Sequence, residues 1–144
     1  KLLQAIVRLS DRVPELRNII DHLPAMEPTK GELAEYEKLL AELKQRSGIH
    51  MKLSSVIHRV AGAVSTELSA YRDRIDGLMD VFGEDRVIFG SDWPNSDGVA
   101  SLDSIVSLAR EYLATRPLRV AEKILWRNSL ATYRWTSRAE NQPS

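Results

Sequence analysis

Three short apolar segments, at 16–23, 49–55 and 86–93, are separated from one another by stretches of helical periodicity too long to be hairpins. That alternation leaves few folds open, because strands joined through helices need crossover connections, and right-handed crossovers lay successive strands side by side in a parallel sheet. The spacing therefore predicts an α/β chain. The segment at 49–55, Ile49-His50-Met51-Lys52-Leu53-Ser54-Ser55, alternates apolar and polar side chains with the period of two of a half-covered strand. Lys52 and Ser54 then share one face, and Ile49, Met51 and Leu53 share the face that meets helices. In the first segment, Asn18, Ile20 and His22 fall on one face and Ile19 and Asp21 on the other, so Asp21 and His22 are not expected to point into one site together.

The helical patterns are equally definite. Leu2, Leu3, Ile6, Val7 and Leu9 predict a helix from residue 2 to about 11, ended by Val13-Pro14. Leu33, Tyr36, Leu39, Leu40 and Leu43 form one stripe within 31–47, with Gly48 expected as its C-terminal cap. Ser65-Thr66-Glu67 is expected to open a third helix, whose apolar positions Leu68, Tyr71, Ile75, Leu78, Met79 and Phe82 run up to Gly83. Ser101 or Asp103 starts another helix through Leu113, one or two more occupy 119–133, and the tail from Ser137 to Ser144 is expected to fray, leaving 1–136 as the folded unit.

A parallel sheet with helices fits either an open doubly wound fold or part of a closed barrel. No glycine-rich phosphate loop follows any of the three strands, which favours the barrel. In barrels the reactive groups sit at the C-terminal ends of strands, and those are the ends where this chain turns polar. Asp92 follows the apolar run Val87-Ile88-Phe89, with Gly90 leaving room for an approach beneath it. A carboxylate there can hold a divalent ion and take a proton from bound water, or it can simply cap a helix or start the turn before Pro94. His22, at the end of the first segment, reads from its position alone as a buried histidine satisfied by a backbone group.

The string Arg86-Val87-Ile88-Phe89-Gly90-Ser91-Asp92-Trp93-Pro94 resembles the last-strand motif of the amidohydrolase-related proteins that include sugar lactonases and pyrone dicarboxylate lactonases. Pro14 to Leu23 resembles that family's sixth-strand segment, Ile49 to Ser54 its seventh, and Trp126-Arg127-Asn128-Ser129-Leu130-Ala131-Thr132-Tyr133 its closing helix. The resemblance implies the C-terminal portion of a (β/α)₈ barrel that hydrolyses a lactone or related ester-like bond through activated water. It makes Asp92 the eighth-strand aspartate, a metal ligand or general base, and His22 the sixth-strand histidine, which binds the carbonyl or orients the water. A divalent metal, zinc first, is the expected cofactor, although some relatives work without one. The family's first strand carries a His-x-His pair, and this chain contains none.

Lys52 is either paired with a carboxylate for structure or aimed at an anionic substrate; Trp93 either walls a pocket or packs between strand and helix. His50 and His58 are expected in exposed or loop positions, and Trp126 and Trp135 as packing residues. The balance of 20 basic against 20 acidic residues gives no field for nucleic acid or a membrane surface, and the lack of cysteine removes thiolate chemistry and fits a cytoplasmic protein. The expected partners are a small-molecule substrate and either the missing N-terminal half of a barrel or a second copy of the chain, since three strands leave an unpaired edge and a face to cover. A decarboxylase parent and a non-catalytic half-barrel assembly module are the alternatives.

Overall fold

The computed structural model describes residues 1–60 and 62–142. Helix α1 (Leu2–Arg12) leads to strand β1 (Asn18–Ile20), helix α2 (Leu33–Lys44) to β2 (Ile49–Leu53), and helix α3 (Arg72–Phe82) to the strand Val87–Phe89. Between β2 and α3 lies a small antiparallel pair, β3 (Arg59–Val60) and β4 (Ala63–Val64), so Val87–Phe89 is β5. The sheet order is β1-β2-β5 and all its pairs are parallel, as the alternation requires. The C-terminal part consists of α4 (Leu102–Ala114), α5 (Leu118–Glu122) and α6 (Asn128–Tyr133), the last two joined by a π turn over Lys123–Arg127. Among the described residues no helix is long and apolar enough to cross a membrane.

Register aligns Ile20 with Met51 and Met51 with Val87. These three, with Ile49 and Leu53, are at most 1% exposed and join Leu43, Ile75, Leu78 and Phe82 in one apolar cluster. Burying a Val, Leu or Ile side chain stabilises by about 1.5–3 kcal/mol, so this covered face is the main source of cohesion. The opposite face carries Asp21, Lys52 and Ser54 as well as Ile88.

Several local expectations are corrected. Ser65 does not open an α-helix: its Oγ accepts from the Glu67 amide, the Tyr71 hydroxyl donates to the Ser65 carbonyl, and only a 3₁₀ turn over Leu68–Ala70 precedes α3. A serine hydroxyl bonded to its own neighbouring backbone competes with the helix it would otherwise start. Gly48 is not a cap, because α2 ends at Gln45 in ordinary helical geometry; a Cβ at Gly48 would instead lie 3.2 Å from the Leu16 carbonyl, so it allows β2 to start close to the chain entering β1. Gly83 does close α3, at φ 67°, and its amide donates to Met79. Leu33 begins α2 yet remains 48% exposed. Trp135 lies beyond α6 and is 49% exposed, and Trp126, on the π turn, stacks under the Arg127 guanidinium at 4.4 Å; neither is a core residue. Residues 137–142 form neither helix nor strand, and 143–144 lie outside the described residues.

Two polar side chains fix the layers. Asn128 Nδ2, in α6, donates to the carbonyls of Glu84 and Val87 at 2.8 Å each, tying the closing helix to β5. Arg86, just before β5, donates through Nε to Phe82 (3.0 Å), through Nη1 to Leu43, Arg46 and Ile49 (3.2, 2.9 and 3.2 Å), and through Nη2 to Lys44 and Val81 (3.3 and 2.8 Å). All its acceptors are backbone carbonyls, and burial pushes its pKa down. Helix C-termini leave carbonyls without intrahelical donors, and this guanidinium serves those of both α2 and α3. Arg86→Met should therefore lower unfolding free energy by at least about 3 kcal/mol, the upper cost of one buried group left unpaired. Arg86→Lys, which keeps the charge without the fork, should fall between the two in urea titrations.

Candidate functional site

Sequence spacing puts a polar residue just past each parallel strand, and in all three places the backbone turns into the left-handed region: His22 at φ 53°, Ser55 at φ 48° and Asp92 at φ 59°. Few side chains adopt that conformation, Asp and His more readily than most. It carries the chain out of the strand and swings each side chain onto the rim above the sheet. Strict alternation would send His22 to the same face as Ile20, into the core. The left-handed turn overrides it, so His22 reaches the rim while Asp21, one residue earlier, bonds Lys52 from the open face. Asp21 and His22 thus point to different places, Asp21 to Lys52 and His22 to Asp92 and Ser55.

On the rim, His22 Nε2 lies 3.8 Å from Asp92 Oδ1. Ser55 Oγ donates to Asp92 Oδ2 at 2.9 Å and lies 3.0 Å from His22 Nδ1, and Ser54 Oγ lies 2.9 Å from the same nitrogen. Asn95 donates to Asp92 Oδ1 at 3.3 Å. Desolvation, the largest single influence, pushes the Asp92 pKa up, but the hydrogen bonds from Ser55 and Asn95, the charge of Lys52 and that of His22 whenever its ring is protonated hold it below the ordinary carboxylate value. Asp92 is thus ionised at neutral pH. Behind His22 the turn Leu23–Ala25 is clamped from α3 by Arg74, whose Nη2 donates to Leu23 and Met26 (3.3 and 2.7 Å) and whose Nε donates to Pro24 (3.4 Å).

Lys52 Nζ pairs with Asp21 Oδ1 at 2.8 Å, and that carboxylate holds the ammonium pKa above its ordinary value against burial. Trp93 is 53% exposed beside Asp92, at the rim and not packed between strand and helix. A Cβ at Gly90 would meet only ordinary contacts, Ser54 Cβ at 3.5 Å and Lys52 Cδ at 3.9 Å, so Ser54 and Lys52 border the space beneath Asp92. His58 lies in the loop after β2, its Nδ1 2.7 Å from the Val56 carbonyl. His50, in β2 as its strand pattern implies, departs from the expected exposure: it is half-buried, and its Nδ1 has no hydrogen-bond partner among the described residues.

Ser55 and Asn95 were not anticipated. Ser55 stands two residues beyond Leu53 as His22 stands two beyond Ile20, and that shared offset was the available signal. Only two metal-type donors converge, His22 Nε2 and Asp92 Oδ1; no group of three or more His, Cys, Asp or Glu is gathered among the described residues.

Comparison with known proteins gives concordant results. A family model described as amidohydrolase matches residues 1–135. An L-fucono-1,5-lactonase of Burkholderia multivorans is 29% identical over 102 residues, covering 69% of this chain and 34% of that protein. A 4-sulfomuconolactone hydrolase of Hydrogenophaga intermedia is 34% identical over 97 residues, covering 64% of this chain and 30% of that protein. The fold is similar to that of an amidohydrolase from Burkholderia multivorans solved with bound zinc (TM-score 0.76, 23% identity, 93% of this chain and 49% of that one). It is also similar to an amidohydrolase 2 from Bifidobacterium longum subsp. infantis (TM-score 0.66, 23% identity, 92% and 45%). The chain thus spans about a third of the length of the curated relatives and about half that of the solved structures it matches.

His50 makes the open face pH-sensitive. Burial pushes its pKa down, the Gly48 backbone opposes this, and the charges of Arg86 and Arg17 reinforce it. A histidine depressed in the folded state binds fewer protons there than in the unfolded chain, so its stabilising contribution is complete above the unfolded value near pH ~6.5 and is lost as pH falls toward the folded value. Unfolding free energy should therefore decline from pH 7 to pH 5, and His50→Asn should flatten that decline in denaturant titrations. Parallel profiles for the two proteins would reject it.

Proposed function

Since this chain belongs to the amidohydrolase family, we propose that it supplies the last βα units of a (β/α)₈ barrel whose complete form hydrolyses a lactone or a related ester-like bond. The observation that carries the reading is the meeting of His22 and Asp92, 3.8 Å apart, beyond the C-terminal ends of β1 and β5, the two parallel strands that flank β2, where barrels keep their reactive groups. The names of the relatives, a fuconolactonase and a sulfomuconolactone hydrolase, support lactone opening as the reaction class.

Asp92 is ionised and weakly basic, because its pKa is held low. Such a carboxylate suits a ligand, or a proton acceptor toward a water that is already acidified, better than a base toward free water. His22 Nε2 and Asp92 Oδ1 would hold two positions of a divalent ion, zinc being the first candidate, with the remaining ligands drawn from outside the described residues. Bound there, the ion would lower the pKa of its water and polarise the acyl oxygen. For this chain's own part, Asp92 accepts the water proton, His22 fixes the water's direction of approach, and the water oxygen bonds to the acyl carbon as the ring C–O bond breaks. Asp92 passes the proton it took from the water to the departing ring oxygen, and the product is a hydroxy acid. Trp93, exposed beside Asp92, offers an apolar wall to the substrate ring, and Lys52 draws an anionic substituent toward the open face at the expense of its pairing with Asp21.

In the full-length protein Asp92→Asn should leave the fold intact and lower lactone hydrolysis by at least about 100-fold, the usual loss for a positioned acid or base. Wild-type turnover by a folded variant would refute the assignment. Removing divalent ions with a chelator should abolish activity, and adding back zinc should restore it.

The rest of the barrel comes from the remainder of the protein or from a second copy of this chain, because both edge strands and the face bearing Lys52 and Asp21 want cover. Light scattering on these 144 residues should accordingly show a dimer or larger species. A monodisperse monomer with a cooperative thermal transition would mean that the chain is complete by itself.

A further inference from the structure

We infer that Ser55 is a positioning residue that fixes the tautomer of His22, holding the proton on Nδ1 and leaving Nε2 bare toward Asp92. The inference rests on the His22–Asp92 pair being the working site, but it is read from proton bookkeeping and not from the reaction.

A serine hydroxyl has one proton to give and lone pairs with which to accept. Ser55 Oγ faces two groups at hydrogen-bond distance, Asp92 Oδ2 at 2.9 Å and His22 Nδ1 at 3.0 Å. An ionised carboxylate is acceptor-only, so the hydroxyl proton goes to Asp92. The second contact is then favourable only if Nδ1 carries a proton and donates it to Ser55; a bare Nδ1 would set lone pair against lone pair. Ser54, 2.9 Å from Nδ1 and 2% exposed, adds a second oxygen but decides nothing alone, since its hydroxyl can accept from Nδ1–H or donate to a bare Nδ1. Ser55 breaks that symmetry, because its only proton is already committed.

In water the Nε2–H form of a histidine side chain prevails, so the site holds the imidazole in its less common form. The consequence falls on the 3.8 Å gap between Nε2 and Asp92 Oδ1. Two electron-rich atoms face each other there, and the arrangement calls for a cation or a water proton between them. Ligating histidines typically have the other ring nitrogen fixed by a hydrogen-bonded partner, and here a single hydroxyl does so while also steering the second ligand. Its left-handed backbone brings Oγ to a point between the ends of β1 and β5.

The test is long-range ¹H–¹⁵N NMR of the three imidazoles in this chain, at a pH where imidazole is neutral, with His22 assigned by its loss in His22→Gln. Wild type should show His22 with the proton on Nδ1. Ser55→Ala, and separately Ser55→Gly, should convert it to a mixture in which Nε2–H is the larger share. Glycine is at ease in the left-handed region, so it separates loss of the hydroxyl from backbone strain and serves if the alanine variant does not fold. Nε2–H in wild type, or pure Nδ1–H in either folded variant, overturns the inference; so does Nδ1–H retained in Ser55→Gly alone, which would make the backbone responsible. Zinc titration of the full-length protein, with and without the Ser55 substitutions, tests the underlying reading. A loss of affinity of about 10- to 100-fold on removing the hydroxyl is expected of a ligand's supporting partner. Full-length wild type that binds no zinc yet shows the Nδ1–H form would remove the metal reading and leave the role of Ser55 standing.

Discussion

The C-terminal ends of α2 and α3 and the start of β2 converge on the guanidinium of Arg86, and the position of β5 follows from that convergence. Carbonyls at helix ends carry partial negative charge and lack donors, so a planar cation with several N–H groups answers both needs at once. The Arg86 carbonyl in turn accepts from the Met51 amide, which locks the adjoining strands in register at the same place. Because the strand beyond Arg86 leads directly to Asp92, the packing of two helices at one end of the sheet determines where a carboxylate stands at the other.

The two faces of the sheet divide the labour. The covered face gathers apolar side chains from strands and helices and supplies cohesion; the open face holds Asp21, Lys52 and Ser54, with the Lys52–Asp21 pair balancing charge. His50, with a ring nitrogen that has no partner among the described residues, belongs to neither set. At the rim the polar groups are joined into one network, in which Ser55 touches both His22 and Asp92.

Much of this was legible in the sequence. The alternation from Ile49 to Leu53 gave the strand and its faces, the position of Asp92 after an apolar run gave the rim, and the helical stripes gave α1, α2 and α4 within a few residues. What escaped had physical reasons. A left-handed backbone at a residue other than glycine leaves little mark in a sequence, so strand alternation alone does not show how His22 leaves the line of Ile20 for the rim, and Ser55 looked like any loop serine. Ser65 had the composition of a helix start but spent its hydroxyl on a local turn. The β3–β4 pair is two residues long on each side and largely exposed, too short for any periodicity to declare it. Arg86 and Arg74 read as charges; nothing in their spacing shows that their partners are backbone carbonyls.

Left-handed geometry at His22, Ser55 and Asp92 has a thermodynamic consequence for how such a chain can change. Residues held in sparsely populated backbone regions cost about 1–3 kcal/mol each, a noticeable part of the roughly 5–15 kcal/mol by which domains are stable. Selection for robustness alone would drift toward glycine or asparagine at 22, 55 and 92 and would gain stability with each step. On the proposed function, the imidazole, hydroxyl and carboxylate at those bends are places where this sequence gives up stability for chemistry, and a heat-tolerant variant found without regard to activity would be expected to change there first.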